Sequence, residues 1–249
     1  MNQLRNQHQG FTLIELMLSM TFISLLLLAI AMTTIQVSHI YTKGVTFRSV
    51  NQAGRTIGAD LQQDAASSSP FDVYKPGTQT VLNGCGSSPR YVRQCNGGVE
   101  SGGRLCMGSI SYVWNYGTFL NSGTGPNQYA GGSTPVRFVR VSDPGGQLCL
   151  DSSTKVNQSA ATELLGGKDS LDLALHSFTI ATSRTASDQP SGQQMYAISF
   201  TIGTNEQNAL MTNDTQCVPP QTTSGSGESD WEYCAVNTFT IVVRAGNQP

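Results

Sequence analysis

The sequence predicts an α+β protein: a long N-terminal helix, transmembrane and then amphipathic, packed on an antiparallel β-sheet domain with long disulfide-bonded loops. Three observations predict it. Residues 11–32 form an almost unbroken apolar run. Beyond that run, apolar residues recur at helical spacing as far as Ala65. After Pro70 the period falls to two, Gly- and Ser-rich stretches separate short β-type segments, and all the cysteines lie on this side.

Composition narrows the function classes. The 249 residues allow one ordinary domain plus an extra element. Only 12% are charged, the formal net charge is -2, and there is no run of like charge. This argues against both a nucleic-acid track and an acidic solvating tail, so no nucleic acid is expected as a partner. The 6 cysteines are Cys85, Cys95, Cys106, Cys149, Cys217 and Cys234. With no CxxC and no Cys/His cluster, they read as disulfides formed in an oxidising compartment rather than as zinc ligands. Proximity favours Cys217 with Cys234 across a Pro- and Gly-containing loop. The other pairings stay open.

Residues 11–32 are long enough to cross the ~30 Å hydrocarbon layer as a helix, yet Glu15 sits inside them. A carboxylate at mid-bilayer costs roughly 2.5–3.5 kcal/mol. Ala29-Ile30-Ala31 fits the small-x-small pattern of a secretory cleavage site, but a cut there leaves Glu15 unexplained. A cut between Gly10 and Phe11 places a new α-amine one helical turn from Glu15, near the membrane face. Glu15 then meets a positive N-terminus, its own or a neighbouring copy's, or it simply snorkels to water. Arg5 lies on one side of the run, Lys43 and Arg48 on the other, so positive charge does not orient the segment. The cysteines place the bulk of the chain outside the cytoplasm.

Gly10 followed by Phe11-Thr12-Leu13-Ile14-Glu15-Leu16-Met17, after a short polar leader and in register with a spanning segment, resembles the type III signal of type IV prepilins and pseudopilins. The resemblance implies removal of residues 1–10 by a prepilin peptidase and N-methylation of Phe11 by the same peptidase/methyltransferase. It also implies that Glu15 guides one subunit's docking against another. Other pilins, the assembly platform and its ATPase, and the inner membrane are the partners it implies, with a periplasmic domain before assembly and a filament afterwards. "RTIGADLQQDA" late in the helix and a closing "FTIVVRAGN" resemble the minor pilins of the PilW and J-pseudopilin type.

Residues 33–69 continue as an amphipathic helix. Phe47, Val50, Gly54, Ile57, Gly58, Leu61 and Ala65 share a sector of roughly 100° on a 3.6-residue helix, with Arg48, Gln52, Arg55, Asp60 and Gln63 outside it. Gly44 loosens the helix, and Ser67-Ser68-Ser69-Pro70 ends it. Gly54 and Gly58 on the buried face indicate close packing, against the domain's own sheet or against another subunit's helix.

Residues 70–249 read as a single β-rich domain. Strands are expected at 109–114, 136–141, 171–182, 196–202 and 237–244, and a short helix at 161–167. "VRFVRV" and "NTFTIVVR" alternate as in a sheet with one wet face. Loops 115–135 and 204–231 are long enough to carry recognition or to be filler around disulfides.

No enzyme is expected. GxSxG, HExxH, GxxxxGK[ST] and EF-hand patterns do not occur, and the 3 histidines are scattered: His8 in the leader, His39 at the membrane exit, and His176, read as a wet-face strand residue rather than a base. Residues 205–215 hold Asp and Asn without the convergent spacing of a calcium loop. No metal ligand or cofactor is assigned. The function implied is that of a minor pilin in filament initiation, assembly or tip capping. A type II secretion pseudopilin and a tip adhesin or ligand-binding protein are the alternatives.

Overall fold

The structure, a computed structural model, describes residues 12–74, 82, 84–166, 171–182, 193–211, 216–219 and 231–246. Two compact units divide the chain, residues 1–42 and 43–249. Helix α1 (Leu13–Ala66) supplies the described part of the first unit and the opening segment of the second, and stays helical through Gly44.

In the first unit α1 exposes large apolar side chains on every side, from Leu13 to Met32 and on through Ile35, Val37, Ile40 and Tyr41. By length and composition it is able to cross a membrane. Five of its hydroxyls are satisfied within the helix. The hydroxyls of Ser19, Thr21, Ser24, Thr33 and Thr34 each donate to a carbonyl one turn back, which removes the cost of an unpaired hydroxyl in hydrocarbon.

The second unit holds two antiparallel sheets rather than one. The larger has the order β1 (Gly86–Ser87), β2 (Tyr91–Asn96), β3 (Val99–Met107), β4 (Ile110–Asn115), β5 (Phe138–Ser142) and β6 (Ala161–Glu163). The smaller is β7 (Leu173–Thr182), β8 (Gln194–Thr204) and β9 (Val236–Ala245). Asn96 pairs with Val99 across Gly97-Gly98, both at positive φ, the geometry of a two-residue hairpin turn. Short helices α2 (Gly117–Asn121) and α3 (Gln147–Leu150) lie in the long connections around β5.

One core joins the helix to both sheets. Val50, Ile57, Leu61 and Ala65 of α1 cluster with Tyr91, Leu105, Tyr112, Trp114 and Phe138 of the larger sheet and Phe178, Tyr196, Ile198, Phe200 and Val243 of the smaller. A second cluster, including Val92, Val113, Val139, Val141, Leu148 and Val156, lies on the opposite face of the larger sheet. Residues in β4 are therefore buried on both faces, and in β5 the alternation fails at Val139. In β9 it holds: Val243 and Ala245 are buried and Phe239 and Ile241 half-buried, while Thr238, Thr240, Val242 and Arg244 are exposed.

Three readings of the sequence are corrected. Residues 161–163 form β6, paired with β5 through Val139↔Glu163 and Val141↔Ala161, where a helix was expected over 161–167; Gly167 lies outside the described residues. Phe47 is exposed and Thr46 takes the place on the buried stripe, one 100° step away. His176 is buried instead of wet, because β7 shifts register between Leu175 and Ser177 and the bulge turns the ring inward toward the Thr204 carbonyl.

Candidate functional site

The residues singled out by sequence fall in separate places. Gly10 and Phe11 lie outside the described residues. Glu15 is exposed in the first turn of α1. Its amide donates to the Thr12 carbonyl at 3.1 Å and the Thr12 hydroxyl at 3.3 Å, so Thr12 caps the helix and Thr12-x-x-Glu15 has the spacing of a capping box. A carboxylate here also faces the positive end of the helix dipole. Sequence reasoning missed Thr12 because the search for charge passed over the hydroxyl three residues earlier.

The glycines on the buried face of α1 differ. A Cβ on Gly54 would sit 2.2 Å from the ring of Phe239 in β9, so the glycine permits the helix to lie directly on the sheet of its own domain. A Cβ on Gly58 would meet only Ile241 Cγ2, at 3.5 Å, an ordinary contact.

Polar clasps fix this helix to both sheets. Asp64, buried in the last turn of α1, accepts from Arg140 Nε (2.6 Å) and Nη2 (2.7 Å) in β5 and from the Tyr112 hydroxyl (2.6 Å) in β4. The hydrogen bond to Asp64 raises the Arg140 pKa further, and burial pushes the Tyr112 phenol up. Burial also raises the pKa of Asp60, one turn earlier, against the opposing effect of Arg140. Near the start of β9, Lys43 Nζ donates to the carbonyls of Trp231 (2.9 Å) and Cys234 and lies 5.7 Å from the Trp231 ring centroid. Burial lowers its pKa. At the far end, the Gly246 amide donates to the Ser68 carbonyl at 2.8 Å.

Disulfides join Cys85 to Cys95, Cys106 to Cys149, and Cys217 to Cys234. The first ties β2 to the segment just before β1. The second ties β3 to α3, where buried Arg104 donates to the carbonyls of Leu148, Asp151 and Ser152 and to Asn127 Oδ1. Its charge meets neutral oxygens, and burial pushes its pKa down to about 10. The third crosslink holds together the base of the β8–β9 connection that Lys43 grips from the helix.

Among the described residues no group of three His, Cys, Asp or Glu side chains is placed to hold a metal. Asn205, which opens the segment considered for calcium, instead donates to Asn121 Oδ1 (2.7 Å) and Asp172 Oδ2 (3.1 Å); residues 212–215 lie outside the described set. Tyr116 links the two sheets: its hydroxyl donates to Glu100 in β3 and accepts from the Phe178 amide in β7.

No family model, no curated protein and no solved structure matches the chain.

Proposed function

We propose that the protein is a prepilin-like subunit, cleaved before Phe11, held in the inner membrane by the first part of α1 with its disulfide-bonded domain in the periplasm, and then moved into a filament as a minor component that begins or caps assembly. One observation carries this reading: the Gly10-Phe11-Thr12-Leu13-Ile14-Glu15 signal stands at the head of a helix whose first unit exposes large apolar side chains on every side, with Glu15 as the one carboxylate among the described residues there. The disulfides suit an oxidising compartment. On this reading the activity is assembly, and the partners are other pilins, the leader peptidase/methyltransferase, and the assembly platform with its ATPase.

The test is the mass of the N-terminal peptide of the chain recovered from membranes. A methylated Phe11 start supports the reading. A start at Met32, after Ala29-Ile30-Ala31, overturns it.

A further inference from the structure

Helix α1 carries no carboxylate between Glu15 and Asp60, whereas Lys43, Arg48 and Arg55 all fall in that interval. Lys43 is engaged with the carbonyls of Trp231 and Cys234. Arg48 and Arg55 are exposed, and neither forms an ion pair among the described residues. Seven residues apart, they lie on one side of the helix, about 10 Å from each other along its axis at 1.5 Å per residue. Between and beside them, Phe47, Asn51, Gln52 and Thr56 complete the lining of a groove of about 630 Å³. Phe47 is half exposed, and the Asn51 side chain is held by Asn237 Nδ2 at 2.7 Å.

We propose that this groove docks an acidic helical segment of a neighbouring filament subunit, bearing two carboxylates about 10 Å apart, seven residues apart on one side of its helix. The proposal rests on the filament reading above. Each guanidinium offers a fork matched to one carboxylate; Phe47 supplies the apolar anchor, and Gln52 supplies a neutral hydrogen-bonding group between the charges. The same face of a second copy is not the occupant, because that pairing would bring four guanidiniums together with no anion between them. Anionic lipid is the weaker match, since basic lipid-binding patches typically gather 4–8 cations and this groove offers two, set among amides and an aromatic ring.

The test uses the full chain in its native membrane, with a photo-crosslinking residue replacing Gln52 and filaments recovered by shearing. The expected result is an adduct with another subunit whose crosslinked peptide carries the two carboxylates. Arg48→Glu with Arg55→Glu should reduce the adduct and filament recovery at least tenfold, and reversing the partner's two carboxylates to lysine should restore both. Unchanged membrane level and absence of free thiols would show that the charge-reversed chain still folds. Adducts with lipid alone, no adduct, a crosslinked peptide without paired carboxylates, or an adduct insensitive to charge reversal would each overturn the proposal while leaving the filament reading intact. Absence of the wild-type chain from filaments would overturn both.

Discussion

Arg140 in β5 grips Asp64 of α1 through two nitrogens, Nε at 2.6 Å and Nη2 at 2.7 Å. Since Tyr112 donates to the same carboxylate, Asp64→Ala strands both a guanidinium and a buried phenol. A loss of ~2–4 kcal/mol is expected, read as a lower urea midpoint of the detergent-solubilised chain. In a double-mutant cycle, Arg140→Gln should cost much less once Asp64 is gone; strictly additive losses would show that the pair does not couple.

Gly54→Ala and Gly58→Ala should move stability in opposite directions. The first drives a methyl into Phe239 and should cost ~1–3 kcal/mol. The second meets only an ordinary contact and gains helix propensity, so it should be neutral or stabilising by up to ~1 kcal/mol. Equal losses at both sites in thermal unfolding would contradict this difference in packing.

Glu163 accepts from the Phe138 amide at 3.0 Å and the Tyr129 hydroxyl at 3.2 Å, and burial raises its pKa. Between its unfolded and its raised folded pKa the native state therefore binds more protons, and this group's contribution to stability falls as pH rises through that window. Glu163→Gln preserves the acceptor for Phe138 and removes the buried charge. It should stabilise by ~1 kcal/mol at neutral pH, with the advantage vanishing below the ordinary glutamate range. Urea curves at several pH values check it.

Glu15→Ala should still insert in the membrane, because it removes a penalty, but should be recovered poorly in sheared filaments. Deleting residues 204–231 provides the contrasting variant, expected to remove activity in a tethered binding protein. Equal filament recovery for wild type and Glu15→Ala would reduce Glu15 to a capping and snorkelling role.

Reduction of Cys217–Cys234 should cost ~3 kcal/mol in the chain-entropy picture and weaken the hold of Lys43 on the base of the β8–β9 connection. Thiol labelling of the denatured, unreduced chain is expected to find no free cysteine. Six reactive thiols would place the domain in a reducing compartment.

The sequence made some of this legible and hid the rest for physical reasons. Strands β4, β5, β7, β8 and β9 announce themselves through β-branched and aromatic residues. Strand β3 does not, because Gly102-Gly103 reads as loop; yet a Cβ at 102 would lie 2.4 Å from the Trp114 carbonyl and one at 103 2.6 Å from the Trp114 ring, so the glycines admit the tryptophan. At 161–163, pairing with β5 overrides a helical composition. Glu15 stands out as a charge among apolar residues, whereas Asp64 gives no signal, because Arg140 lies 76 residues away in sequence. The Arg48 and Arg55 groove looks from sequence like any solvated helix face, and its paired spacing gains meaning only beside Phe47 and the Asn51–Asn237 bond.

The last strand has a consequence for how the chain is made. Lys43 holds the approach to β9, Phe239 and Ile241 pack under Gly54 and Gly58, and the Gly246 amide closes on Ser68. The stripe of α1 that belongs under β9 emerges about 180 residues before the strand that covers it. At synthesis rates of 5–20 residues per second, that is roughly 10–35 s of nascent chain with the stripe uncovered. Burial of this stripe therefore waits for β9, and contacts of such sequence separation form slowly. A chain stopped short of Val236 would retain every disulfide partner, yet leave the helix without the strand that finishes its burial, making such truncations natural substrates for chaperones and proteases.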